Sequence, residues 1–306
     1  MKTRLIAALA ALIPLMPVSP AQAAPATVAA ASPEVALHDH IRTTLHGHSG
    51  PLVLLIPGMS TPGAVWDAEV AALKDSHRVL VVELRGFDGE RGTANEAEGA
   101  LDGVVADIAA DLDARGMGPA TIAGHSLGGL VAMKLGLARP ELVSGLLIVD
   151  ALPFFGTVFG DRMTLETIAP RARQMRDMMI AGADTMRAAG ARGTQSGAGA
   201  MGMSVDEATR VTIANWSLDA EPLAVACLLY EDMQADLRQD IAALAMPVTV
   251  LHAANGDHAA QARARYSADY AALPQVRLVP VDNTAHFIQL DRPEIFRAEL
   301  ARLVSE

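Results

Sequence analysis

The chain has 306 residues, of which 51% are apolar, and a formal net charge of −11 with histidine taken as neutral. This apolar content excludes an intrinsically disordered chain, and the length suffices for one large α/β domain with an insertion or for two modest domains. The acidic residues are scattered and the excess charge has the same sign as a phosphate backbone, so we expect no nucleic-acid partner.

The first residues have the composition of a secretory signal. Lys2 and Arg4 precede an apolar run over 5–15, and an Ala-Gln-Ala sequence ends at Ala23. A positively charged first segment, a short apolar segment and small residues at a cleavage site together predict a signal peptide over residues 1–23, cleaved after Ala23. The expected location is therefore periplasmic or secreted.

A membrane anchor is the alternative for this segment. Pro14 and Pro17 interrupt the apolar run, which falls short of the roughly 20 residues that a spanning helix needs, so we expect no stable anchor. The next segment, 24–34, is rich in Ala and Pro without periodicity, which predicts a flexible leader. Cys227 is the chain's single cysteine, which excludes an intrachain disulfide even in an oxidising compartment.

From residue 35 onward, short apolar runs typical of buried strands alternate with longer amphipathic segments typical of helices. The predicted strands lie at 52–56, 79–84, 120–123, 146–149, 247–253 and 275–281, and the predicted helices at 64–73, 96–115, 130–135, 259–273 and 293–303. Residues 155–240 contain helical stretches but no convincing strand. This pattern predicts an α/β domain with a mostly parallel central sheet flanked by helices, in which a helical lid at 155–240 separates core parts at 35–154 and 241–306.

The segment ATIAGHSLGGLVAMKLG, residues 120–136, joins a predicted strand to a predicted helix through a very short turn. Gly124, Gly128 and Gly129 surround Ser126 at positions where a Cβ atom would collide if the backbone reversed sharply. Ser126 would then stand exposed at the strand end, with the first N–H groups of the helix available to a developing negative charge. We therefore predict a nucleophile, with a glycine-rich turn that happens to contain a serine as the alternative.

A serine nucleophile needs a base, normally a histidine that a carboxylate orients. His286 lies in a loop just after the predicted strand at 275–281, and Asp257 lies in the loop after the strand at 247–253. Both loops leave the carboxyl ends of strands, the edge at which open parallel sheets build their sites.

The motifs at these positions resemble those of the α/β-hydrolase superfamily, and the resemblance covers almost the whole mature chain. They are Gly-His-Ser-Leu-Gly-Gly at 124–129, the Gly-Asp loop ending at Asp257, and His-Phe at 286–287 followed by Asp-Arg-Pro at 291–293. The order serine, acid, histidine is the order in which this superfamily carries its triad. The resemblance implies the α/β-hydrolase fold.

The resemblance also implies roles. Ser126 is the expected nucleophile, His286 the general base and then acid, and Asp257 the carboxylate that orients the imidazole. Asp150 is the rival for the acid, because it directly follows a predicted strand and some members of the superfamily take their acid from that position. Asp282 lies nearest to His286 in sequence but too close to a strand end to turn back, which favours a loop-capping role.

The other histidines near these motifs, His125, His252 and His258, are interpreted as structural or surface residues. By the resemblance, the oxyanion hole takes one backbone N–H from Leu127, the residue after the nucleophile, and a second from Met59. The loop that carries Met59 has Pro57 where the superfamily usually has histidine. Because the donor is a backbone group, this departure leaves the predicted hole in place.

The predicted lid is rich in methionine. Seven of the chain's 14 methionines lie between residues 163 and 203: Met163, Met175, Met178, Met179, Met186, Met201 and Met203. Flexible thioethers could line a pocket for apolar groups or simply pack the lid against the core, and both readings stay open. Phe154, Phe155 and Trp216 are the candidate substrate-binding residues, with burial in the core as their alternative.

Four of the nine histidines, His38, His40, His46 and His48, crowd into one short segment. Two His-x-His pairs on a hairpin could meet around zinc or copper, but polar residues on an exposed edge strand have the same pattern. We predict no metal site and no cofactor.

Together these features predict a serine hydrolase that cleaves a carboxylic ester of a small or medium apolar substrate through an acyl-enzyme. The elbow serine disfavours relatives whose nucleophile is aspartate, such as haloalkane dehalogenases. An amidase or aminopeptidase, a lactonase, a carbon–carbon bond hydrolase and a cofactor-free haloperoxidase remain alternatives, as does a non-catalytic binding module. The expected partner is a small ester-like molecule, and the sequence leaves the oligomeric state open.

Overall fold

The computed structural model describes residues 33–305. The predicted signal peptide and residues 24–32 of the predicted leader lie outside the described residues, and a strand already begins at Glu34. The strands are β1 Glu34–Leu37, β2 Ile41–His46, β3 Leu52–Ile56, β4 Arg78–Leu84, β5 Ala120–His125, β6 Val143–Val149, β7 Val248–Ala253 and β8 Arg277–Val281. The helices are α1 Asp67–Leu73, α2 Ala100–Ala114, α3 Leu127–Ala138, α4 Leu165–Gly190, α5 Glu207–Asp219, α6 Pro222–Gln234, α7 Ala259–Asp269, α8 Ile288–Asp291 and α9 Pro293–Ser305.

All eight strands form one sheet in the order β1-β2-β4-β3-β5-β6-β7-β8. From β4 to β8 every neighbouring pair is parallel, whereas β1 and β2 form an antiparallel hairpin at the edge. The six predicted strands correspond to β3–β8, and the predicted mostly parallel α/β architecture is confirmed.

Helices cover both faces of the sheet, as a parallel sheet requires. Side chains alternate along β3, so Leu54 and Ile56 pack in one apolar cluster while Val53 and Leu55 pack in another. The first cluster includes side chains of α2 and α3, and the second includes Phe296 of α9. Burial on both faces explains why these strands are continuous apolar runs in the sequence.

Between β6 and β7 the chain is helical. Each of the long helices α4, α5 and α6 begins at a residue whose side chain accepts a hydrogen bond from the first turn: Thr164, Asp206 and Glu221. The strand-type pairing of this stretch, within the described residues, is a single bridge between Phe154 and Asp236. None of the described helices has the length and apolar character needed to cross a membrane.

Candidate active site

Ser126 occupies the sharp turn between β5 and α3. Its backbone lies at φ 52° and ψ −121°, a region that side chains rarely adopt, and strain of this kind tends to persist where the surroundings fix the backbone. The Ser126 N–H donates to the Val149 carbonyl (2.9 Å), and its own carbonyl accepts from the Gly129 N–H (2.8 Å). The serine is thereby held at the carboxyl edge of the sheet.

The glycines around Ser126 are required by close backbone contacts. A Cβ atom on Gly124 would lie 2.2 Å from the Gly128 carbonyl oxygen, and one on Gly128 would lie 2.4 Å from the carbonyl oxygen of Ile56. Both distances are far shorter than any tolerable contact with backbone. The crowding predicted from the sequence is therefore present.

His286, in the loop between β8 and α8, donates from Nδ1 to Oδ2 of Asp150 at 2.8 Å. Asp150 follows β6 directly, and its other oxygen accepts from the Ala253 N–H and the Tyr266 hydroxyl, both at 3.0 Å. Three donors thus hold this carboxylate and orient it toward the histidine. His286, Asp150 and Ser126 all line one cavity.

The choice of Asp257 as the acid is wrong in this structure. Asp257 is exposed, lies on the 3-10 turn Gly256–His258, and makes no hydrogen bond to another described residue. The loop after β7 turns directly into α7, and the residue in it that contacts the histidine loop is Asn255, which bonds the backbone of Thr284. The rival, Asp150, is the carboxylate that the fold brings to His286.

Tyr266 is a site residue that the sequence reasoning missed. Its ring is buried on α7, stacks on His252 with ring centroids 4.4 Å apart, and presents the hydroxyl to Asp150. A tyrosine within a predicted helix gives no indication of this contact, because the contact depends on how α7 docks against the end of β6.

Two competing influences act on the pKa of Asp150. Burial alone would raise it, but the hydrogen bond and charge of His286, with the donors Ala253 and Tyr266, together hold the pKa below its ordinary value. Asp150 is therefore ionised at neutral pH, the form that orients and stabilises an imidazolium.

His125 is buried beside the site, as a structural histidine should be. Burial, and next the charge of His286, lower its pKa to about 3, so the ring is neutral at physiological pH. Its Nε2–H donates to the His286 carbonyl at 3.1 Å, and its ring centroid lies 4.6 Å from that of His286. The contact supports the loop that carries His286. His258, in contrast, is exposed.

The two predicted oxyanion donors, Met59 and Leu127, both line the cavity. Leu127 is the first residue of α3, so its N–H has no partner within the helix. Within residues 33–305, neither of the two N–H groups donates a hydrogen bond. Both are available to an oxygen at the end of the cavity near Ser126.

The Asp-Arg-Pro motif braces the histidine loop. Asp291 accepts from the Ala285 N–H (2.8 Å) and the Thr284 hydroxyl (3.2 Å) with one oxygen, and from the Ser204 hydroxyl (2.5 Å) with the other. The Phe287 N–H also donates to the Met203 carbonyl (2.8 Å). These bonds tie the histidine loop to the segment that precedes α5.

The cavity has a volume of about 580 Å³, within the range of roughly 300–1,000 Å³ found for small-molecule sites. Its lining is mostly apolar: Leu127, Leu130, Ala151, Leu152, Phe155, Val158, Met203, Ile213, Leu229 and Phe287 contribute. Of the three predicted substrate-binding residues, Phe155 lines the cavity.

The predictions for Phe154 and Trp216 are wrong. Phe154 is fully buried in a small cluster with Ile168 and Met233, where the Arg238 guanidinium lies 4.6 Å from its ring centroid. Trp216 packs against the core, and the same helix instead turns Ile213 and Ser217 to the cavity. Of the seven methionines between residues 163 and 203, Met203 alone lines it, while Met178 and Met201 are exposed.

Comparison with known proteins places the chain in a family. A sequence profile described as the alpha/beta hydrolase family matches residues 53–299. The chain belongs to this family. That result, with the sheet order and the elbow, confirms the family expected from the motifs.

Curated relatives match parts of the chain. It is 36% identical over 133 residues to a pimeloyl-[acyl-carrier protein] methyl ester esterase of Aeromonas hydrophila. This match covers 44% of this chain and 49% of the esterase. It is 32% identical over 151 residues to the lipase LipV of Mycobacterium tuberculosis, and this match covers 48% of this chain and 51% of the lipase. The chain thus spans about half the length of the curated relatives it matches.

Solved structures share the fold over nearly their whole length. A hydrolase from Pseudomonas aeruginosa PA01 superimposes with a TM-score of 0.69 and 19% identity, covering 91% of this chain and 100% of the other. The enol-lactonase from Burkholderia xenovorans LB400 gives a TM-score of 0.65 at 18% identity, covering 87% of this chain and 96% of the other. These likenesses confirm the α/β-hydrolase fold.

Two of the four clustered histidines, His38 and His40, lie in the turn between β1 and β2 and contact α2. His38 Nε2 lies 3.1 Å from Asp111, and His40 Nδ1 lies 3.1 Å from Asp107. Among residues 33–305, no three His, Cys, Asp or Glu side chains are grouped to hold a metal ion. The two pairs fasten the β1–β2 turn to the helix.

Proposed function

We propose that this protein is a serine hydrolase that cleaves a carboxylic ester of a small or medium apolar substrate through an acyl-enzyme. The observation that carries the proposal is that Ser126, on a strained elbow, opens into the same cavity as the His286–Asp150 pair. No cofactor is needed for this chemistry.

In the first half-reaction, His286 Nε2 takes the proton of the Ser126 hydroxyl as Oγ attacks the ester carbon. The carbonyl oxygen becomes an oxyanion, which the N–H groups of Met59 and Leu127 bind. The intermediate then collapses: the ester C–O bond breaks, the proton passes from His286 to the leaving alcohol, and an acyl-Ser126 ester remains.

In the second half-reaction, water replaces the alcohol. His286 takes a proton from water as its oxygen attacks the acyl carbon, and then returns the proton to Ser126 as the acid leaves. Asp150 stays ionised throughout and fixes the tautomer with the proton on Nδ1. The described residues give the Ser126 hydroxyl no hydrogen-bond partner, so we propose that bound substrate completes its alignment with His286.

The apolar lining and the volume of about 580 Å³ favour small or medium acyl and alcohol groups. The curated relatives described above are named as an esterase and a lipase, which supports ester cleavage. The N-terminal pattern leads us to propose, in addition, a periplasmic or secreted location with cleavage after Ala23, which N-terminal sequencing of the mature protein tests.

The test is hydrolysis of p-nitrophenyl esters of increasing acyl length by the mature protein, with Ser126→Ala beside it. Ser217→Ala is the matched control, because Ser217 also lines the cavity but lies on α5 away from the elbow. We expect turnover that peaks at one acyl length, persists in Ser217→Ala and vanishes in Ser126→Ala.

A fluorophosphonate probe separates the alternatives. Labelling of Ser126 without ester turnover would overturn the ester proposal. The same serine would then act as an amidase, a lactonase, a carbon–carbon bond hydrolase or a haloperoxidase. Absence of both labelling and turnover in folded protein would overturn the hydrolase proposal and favour a binding module.

A further inference from the structure

Three acidic residues close together on and just after α6 have different surroundings. Glu231 accepts from the N–H groups of Gly99 and Leu101 at 2.6 and 2.7 Å, which caps α2. Asp236 pairs with the Arg238 guanidinium at 2.6 Å. Asp232 is only 9% exposed, yet its carboxyl group makes no hydrogen bond or ion pair with any residue of the described chain.

This isolation sets Asp232 apart from the other buried carboxylates of the described residues. Each of those has a cation or a hydroxyl as partner: Glu69 with Arg297, Asp111 with Arg115, Glu221 with Arg187, and Asp269 with Thr157. A buried carboxylate without a partner is costly, and folded proteins rarely keep one without use. Burial alone raises the pKa of Asp232 to about 7.

Asp232 faces the cavity that contains Ser126. Leu229 and Asp232 lie three residues apart on one face of α6, and both line the cavity. Arg265, the cation in the same lining, has its Nη2 3.6 Å from Asp161 and gives Asp232 no ion pair. Among the lining residues, Asp150 and Asp232 carry carboxyl groups, and Asp150 is already bonded to His286, so Asp232 is the carboxyl group left for a ligand.

We propose that Asp232 determines specificity by binding an ammonium group carried on the acyl or alcohol part of the substrate. The inference rests on the proposed ester hydrolysis, and it names the substrate class as amino-substituted esters with an apolar stem. A carboxylate has only acceptors, and a cationic donor both hydrogen-bonds it and compensates its buried charge. A neutral hydroxyl would leave that charge uncompensated.

The kinetic test compares p-nitrophenyl ω-aminoalkanoates with p-nitrophenyl n-alkanoates of equal length, over a series of lengths. At the best length, we expect the wild-type protein to favour the amino ester, and Asp232→Asn to lose about tenfold in kcat/KM for it while retaining the alkanoate activity. Glu231→Gln is the control: it neutralises the neighbouring carboxylate, which faces α2, and should keep the preference. An amino-to-alkyl ratio that is equal in wild type and Asp232→Asn overturns the proposal.

A binding measurement separates this inference from the proposed hydrolysis. Calorimetric titration of Ser126→Ala with n-alkylamines and n-alkanols needs no turnover, and the Ser126→Ala, Asp232→Asn double variant supplies the comparison. Tighter amine binding that the second substitution abolishes supports the Asp232 site even if no ester is cleaved. Equal amine affinity in both variants, or an Asp232-dependent preference for the alkanol, rejects it.

Discussion

His286 Nδ1 lies 2.8 Å from Asp150 Oδ2, which joins the loop after β8 to the end of β6, two strands away. Asp257, in the loop after the intervening strand β7, is exposed and makes no such contact. The direction of the loops after β6 and β7 therefore decides which aspartate contacts His286.

Asp150→Asn should remove most of the activity. The amide cannot hold the required tautomer of His286, and loss of this role lowers kcat by about 10⁴-fold in triads of this type. Asp257→Asn, at an exposed position, should stay within about twofold of wild type. Ester turnover by the two purified variants checks this, and an inactive Asp257→Asn beside an active Asp150→Asn would reverse the assignment.

Much of the fold could be predicted because its signals are local. The strands β3–β8 are apolar runs between turns, and the glycines at 124, 128 and 129 mark a turn that only they permit. The hairpin β1–β2 is not among the predicted strands, because β1 has only four residues and β2 lacks the continuous apolar run that marks β3.

The structure brings Ser126 and His286 to one cavity, as expected for residues that follow the ends of parallel strands. The identity of the acid and of the residues that line the cavity could not be predicted, because both depend on packing between segments that are distant in sequence. Asp150 and Asp257 both follow strands, and only the direction of each loop distinguishes them. The residues that line the cavity were not predictable for the same reason: how α5 is rotated about its axis decides that Ser217, and not its neighbour Trp216, faces inward.

Tyr266→Phe should weaken the support of Asp150 without removing it. The phenylalanine keeps the stacking on His252 but loses the hydroxyl that donates to Oδ1, which still accepts from Ala253. Loss of one such bond to a charged group should cost about 1.5–3 kcal/mol of unfolding free energy. Urea unfolding measures this cost, and kcat should fall by far less than in Asp150→Asn. No change in either quantity would mean that the hydroxyl does not support the acid.

Gly124→Ala and Gly182→Ala should have opposite effects on stability. A methyl group at 124 meets the Gly128 carbonyl oxygen at 2.2 Å and must push the elbow apart, whereas one at 182, within α4, meets nothing within 4 Å. We expect Gly124→Ala to abolish ester turnover and lower the melting temperature. Gly182→Ala should add about 0.5–1 kcal/mol, because alanine loses less entropy than glycine in a helix. A stable and active Gly124→Ala would show that the elbow relaxes more readily than its contacts suggest.

Asp232 should make the stability of the protein depend on pH in a way that Asp232→Asn removes. Burial raises the pKa of this carboxyl from 3.8 to about 7, so the folded protein keeps its proton while the unfolded chain releases it. Wild-type stability should therefore fall, relative to the variant, as the pH rises from about 4 to about 7, and the difference should be constant above that. The roughly three-unit shift corresponds to a change of about 4 kcal/mol.

The comparison isolates Asp232 because other titrating groups cancel. The pKa of Glu83 is also raised to about 7 by burial, but it contributes equally to both proteins. Urea unfolding of wild type and Asp232→Asn at a series of pH values gives the two free energies of unfolding. A difference that grows toward neutral pH shows that an unpaired carboxyl is kept in the cavity at the expense of stability, as a binding group for substrate would be. A difference that is the same at every pH would mean that Asp232 ionises with an ordinary pKa and is not isolated from water.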